Sequence, residues 1–100
     1  MAYLEKLKKL IDSDDERKAE FKVSFDELAN EEGVIEESTI FDLLEVFCEG
    51  NDIPAVSSEK LKSMYSEFAD GDGKGDLDFQ SVIMKLKVYL KIIHYLESNK

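Results

Sequence analysis

Apolar residues recur along this chain at three- and four-residue steps with charged residues between them, a rhythm that predicts an all-helical domain. Tyr3, Leu4, Leu7, Leu10 and Ile11 form the first stripe, interleaved with Glu5, Lys6, Lys8 and Lys9. Residues 1–12 read as a short amphipathic helix that either packs on the domain or serves as an arm for a membrane surface or a partner. Ser13, with Glu16 three residues on, opens a second helix running to about Leu28, with Phe21, Phe25 and Leu28 facing the core. Ile40, Phe41, Leu43, Leu44, Val46, Phe47 and Cys48 make a third helix, with Gly50 as its expected stop. Residues 50–56 hold the only proline, Pro54, and form a linker. Ser57 or Ser58 caps a fourth helix with the stripe Leu61, Met64, Tyr65 and Phe68. Asp78 caps the last helix, from Phe79 to about Glu97.

That last helix carries two apolar faces. Phe79, Val82, Ile83, Leu86, Leu90 and Ile93 share one, and Met84, Val88, Ile92 and Tyr95 share the other. A helix closing a small domain needs only one. The second is expected to be covered by the N-terminal helix, by another copy, or by a target.

Between the fourth and fifth helices lies an acidic, glycine-spaced run, Asp70-Gly71-Asp72-Gly73-Lys74-Gly75-Asp76-Leu77-Asp78. A calcium loop of helix–loop–helix type places oxygen ligands at its positions 1, 3, 5, 7, 9 and 12, with glycine at 6. Gly75 at position 6 puts Asp70, Asp72, Asp76 and Asp78 at positions 1, 3, 7 and 9, with Leu77 as the apolar plug. Lys74 then stands where a ligand oxygen belongs, and Ser81 where a bidentate glutamate belongs. These four aspartates form a weak or vestigial metal set, and the expected cofactor is none, or weakly bound Ca²⁺. Between the second and third helices, Ala29-Asn30-Glu31-Glu32-Gly33-Val34-Ile35 has a similar turn and plug but is one residue short. Ala29 replaces the first aspartate and Thr39 the final glutamate, so calcium binding through its side chains is not expected.

These residues, with Phe21 and Phe25, make residues 14–97 resemble the EF-hand superfamily. The resemblance implies a degenerate hand over residues 13–49, a second hand with an incomplete calcium loop over 57–100, and a short antiparallel β-bridge joining Ile35 to Leu77. Myosin light chains and calmodulin-like subunits are the better match; small dimeric calgranulin-type proteins match less well. By that likeness the chain is a noncatalytic subunit holding an amphipathic, basic helix of a larger protein, as in a myosin neck. Candidate partner-binding residues are Phe41, Leu44, Phe47, Met64, Phe68, Met84, Val88, Ile92 and Tyr95. The alternatives are a calcium sensor or buffer using residues 70–81, and a homodimer through the last helix.

Composition narrows the partners. Phosphate binding needs a basic face, so at a net charge of −10 nucleic acid is not the expected partner and a cationic one is favoured. No segment reaches the ~20 apolar residues that cross a bilayer. A lone cysteine, Cys48, excludes an internal disulfide and fits a reducing, cytoplasmic setting. His94 stands on a lysine-rich flank with no visible partner, and no nucleophile motif or phosphate loop is present, so catalysis is not expected.

Overall fold

The computed structural model describes residues 2–69 and 77–100. Among these the fold is all-α: α1 (Ala2–Asp12), α2 (Asp14–Leu28), α3 (Ile40–Gly50), α4 (Ser58–Phe68) and α5 (Phe79–Ser98), with a 3₁₀ turn at Glu37–Thr39. None of these helices is long and apolar enough to cross a membrane. Three N-termini are capped by side chains that accept a backbone amide otherwise left without a partner. Ser13 Oγ accepts from Glu16 N (3.3 Å), Ser57 Oγ from Lys60 N (3.2 Å) and Asp78 Oδ1 from Ser81 N (2.8 Å).

α5 is the hub, packing against α1, α2, α3 and α4. Its buried residues are Val82, Ile83, Lys85, Leu86, Tyr89, Leu90, Ile92, Ile93 and Glu97. At 100° per residue these cover about half the helix circumference. Ile92, expected on the second face, falls at the margin of this arc and is fully buried.

α1 lies on the first face of α5, not the second. Its Leu7, Leu10 and Ile11 are buried, and Tyr3 donates to Glu97 Oε1 at 2.7 Å. Met84 and Tyr95 stay about half exposed, so the expected cover of the second face by the N-terminal helix is not found. Lys100 pairs with the other oxygen of Glu97 at 2.7 Å. Lys100 and then Tyr3 hold the Glu97 carboxyl below its ordinary 4.5, against the opposing effect of burial. The Glu97 hydrogen bond, helped by burial, lifts the Tyr3 phenol above 10.0. A depressed carboxyl stabilises the fold above its unfolded pKa and loses that effect as pH falls through the folded value. A raised phenol stabilises below its unfolded pKa and loses that effect as pH rises through the folded one. α1 is therefore expected to hold firmest between about pH 5 and 10, loosening outside that window. Amide protection factors of α1 on the acid side and a phenol absorbance titration on the alkaline side test this; flat profiles would contradict it.

The buried stripe of α2 is Arg17, Phe21 and Phe25, one turn earlier than the sequence suggests, and Leu28 is exposed. Arg17 is fully enclosed. Its Nε donates to Ile83 O (3.0 Å), one terminal nitrogen donates to Leu10 O (2.7 Å) and Ile11 O (3.1 Å), and the other pairs with Asp14. One guanidinium thus caps the C-terminal carbonyls of α1 and fastens α2 to α5.

α3 ends at Gly50, as expected, and the left-handed position beyond it is Asp52, at φ 56°. Aspartate tolerates that conformation better than most side chains. Ile53 N then bonds back to Cys48 O at 2.9 Å, and the Ile53 side chain is buried, so the linker is anchored rather than loose. Ile35 and Leu77 form an isolated antiparallel bridge, exchanging backbone hydrogen bonds of 2.9 and 2.8 Å, and both side chains are buried.

Candidate functional site

α3 and α4 both pack on α5 but leave a groove between them, closed at one end by the linker. The cavity measures about 390 Å³, within the usual range for a site that engulfs an apolar group. Its floor is Leu44, Cys48, Leu61 and Ile93, each buried, and Phe41 and Val56 form half-buried walls. Along one edge α3 presents Asp42, Glu45 and Glu49, which share its outer face and are exposed. None of the three makes an ion pair among the described residues. A half-open apolar trough under unneutralised carboxylates attracts an apolar group flanked by positive charge.

The wall of this groove is fixed from behind. Phe41 meets Tyr89 edge-on at 5.3 Å between ring centroids, and Tyr65 meets Tyr89 at 5.0 Å. Lys85, on α5, pairs with Glu37 of the 3₁₀ turn at 2.8 Å and sits 5.2 Å from the Tyr65 ring. Burial first, then the neighbouring Tyr65 and Glu37, push the Tyr89 phenol up to about 12. Lys62 lies 5.2 Å above Phe41 and is the cation nearest the wall in these contacts. Burial, with Glu97 adding, pushes the Cys48 thiol up to about 11, so the floor is neutral at physiological pH and behaves as a hydrophobe.

The nine partner-binding residues predicted from sequence do not form one surface. Phe41 and Leu44 line the groove. Phe47 is core, 5.2 Å from Phe21 between centroids, and Ile92 is core as well; neither is open to a partner in this conformation. Met64 is half-buried on α4. Phe68, at the end of α4, packs edge-on against Tyr95 at 5.7 Å, and Tyr95 with Met84 and Val88 belongs to a separate ridge along α5. The acidic edge was missed because its residues were read only as part of the overall charge. Their i, i+3, i+7 spacing on an otherwise apolar helix is the signal that finds them.

Of the predicted metal residues, Asp70, Asp72 and Asp76 lie outside the described residues. Asp78 caps α5, and the amide of Ser81 holds its carboxyl below the ordinary value. The first loop is closed by its own hydrogen bonds. Asn30 Oδ1 already accepts from Glu32 N (2.9 Å) and Val34 N (3.3 Å), Asn30 N bonds to Val34 O and Gly33 N to Asn30 O, and Gly33 takes φ 77°. An amide side chain thus holds this turn together. No group of three or more histidine, cysteine, aspartate or glutamate side chains suited to a metal occurs among the described residues. Comparison with known proteins returned no matching family model, no curated protein and no solved structure.

Proposed function

We propose that the protein is a noncatalytic binding subunit that holds a basic amphipathic helix of a larger protein in the α3–α4 groove. The observation that carries this reading is the row of unpaired carboxylates, Asp42, Glu45 and Glu49, above the apolar floor of Leu44, Leu61 and Ile93. A helix laid there buries one or two large side chains in the trough, each contributing about 1.5–3 kcal/mol. Its lysines or arginines then reach the acidic edge.

The class is that of paired EF-hands resembling myosin light chains. The reading is supported by two helix–turn–helix units, α2–α3 and α4–α5, joined through the Ile35–Leu77 bridge. Calcium affinity is lost or weak: Asn30 holds the first turn without an ion, and the second places Lys74 and Ser81 where ligands belong.

The test is a titration of the protein into a fluorescently labelled basic amphipathic peptide in excess chelator, read by anisotropy. Saturable binding in the micromolar range, unchanged by added calcium, is expected. No saturation up to about 1 mM, an affinity of only ~4 kcal/mol, would overturn the proposal. Binding that appears only with calcium would favour a sensor.

A further inference from the structure

The second notable surface is on α5, on the side away from the groove. From Phe79 to Leu96 this helix carries no acidic residue, in a chain with 23 of them. Met84, Lys87, Val88, Lys91, His94 and Tyr95 share one side of it, spanning about 16 Å from Met84 to Tyr95. Met84 is 49% exposed and Tyr95 50%, while Lys87, Val88, Lys91 and His94 are half-buried. Most cations of the protein are paired: Lys6, Lys8, Lys9, Arg17, Lys22, Lys85 and Lys100 all meet carboxylates. Among the described residues, Lys18, Lys60, Lys62, Lys87 and Lys91 meet none. Of these, Lys87 and Lys91 lie on one helix face with the exposed apolar side chains of Met84 and Tyr95.

We infer that this ridge is a second docking face, and that its occupant is an acidic amphipathic helix. Glutamates or aspartates on the flanks of that helix would meet Lys87 and Lys91, and its apolar stripe would cover Met84, Val88 and Tyr95. Charge complementarity selects this occupant. A copy of the same chain brings a net charge of −10 against a net charge of −10, and an anionic membrane would face the same long-range repulsion. A single short helix carries few charges, so the net field repels it far less than it repels a second copy, and at moderate salt the nearby Lys87 and Lys91 decide the contact. The inference is independent of the groove, which lies on the opposite side of α5.

The probe is a labelled synthetic helix of about 18 residues with leucines on one face and glutamates beside them, titrated with the intact protein at about 0.1 M salt, where the net charge is screened over about 10 Å. Saturable binding is expected, weakened at least about tenfold by K87E/K91E. The variant K18E/K60E, with the same change in net charge on other faces, should leave binding within about twofold. An M84S/Y95S variant, which keeps every charge, is expected to weaken it as well; circular dichroism of each variant reports whether the fold is intact. Equal losses in K87E/K91E and K18E/K60E would reduce the effect to bulk charge and overturn the inference. So would an absence of saturable peptide binding, whether or not the protein adsorbs to phosphatidylserine vesicles or self-associates in sedimentation.

Discussion

Replacing Arg17 by alanine is expected to destabilise the protein by about 3–5 kcal/mol, a large share of the ~5–15 kcal/mol that holds a small domain together. The guanidinium donates to Leu10 O, Ile11 O and Ile83 O. Alanine leaves these acceptors short of a partner in a water-excluded place, and each costs about 1–3 kcal/mol where no water can enter. Asp14 is half exposed and loses less, since water replaces its partner. Lysine would recover only part of the loss, because an ammonium cannot reach three carbonyls from one plane. Urea unfolding followed by circular dichroism measures the change, and a loss below about 1 kcal/mol would show that the clasp contributes little. α1 should also lose its amide protection before the rest of the molecule does.

The same residue marks the limit of what the chain reveals on its own. Helix positions and caps are legible because periodicity and capping are local: Ser13, Ser57 and Asp78 each stand at the start of a helix. Arg17 is not legible, because a charged side chain four residues before Phe21 reads as solvent-facing. Only the carbonyls of two other helices make its burial favourable, and those are tertiary partners. Ile92 illustrates the converse. Its apolar character is plain, but whether it lies inside or outside depends on an arc of burial set by four neighbouring helices. Of the candidate site, Phe41 and Leu44 could be named in advance. The groove itself could not, since it exists only because α3 and α4 both rest on α5 without closing on each other.

The second large effect concerns that groove. Reversing its edge with D42K/E45K/E49K is expected to weaken a basic amphipathic peptide by about a hundredfold, roughly 2.7 kcal/mol. All three side chains are exposed and unpaired, so the fold should be little affected. The control is E27K/E31K/E32K, which moves the net charge by the same amount on exposed positions elsewhere. If both triple variants lose affinity equally, the peptide senses only the overall field and the groove is not its seat. Raising the salt should narrow the gap between the native protein and the reversed variant, because exposed charges are screened over about 10 Å at 0.1 M. The apolar share of the affinity should remain.

The bond from Tyr3 to Glu97 also has a bearing on synthesis. During synthesis α1 leaves the ribosome well before α5, the helix that shelters it. At about 5–20 residues per second, the intervening chain takes several seconds to appear, and through that interval Leu7, Leu10 and Ile11 have no permanent cover. A nascent chain of this design is exposed to chaperones, or to early capture by whatever else would take a lysine-bearing apolar stripe, until α5 emerges.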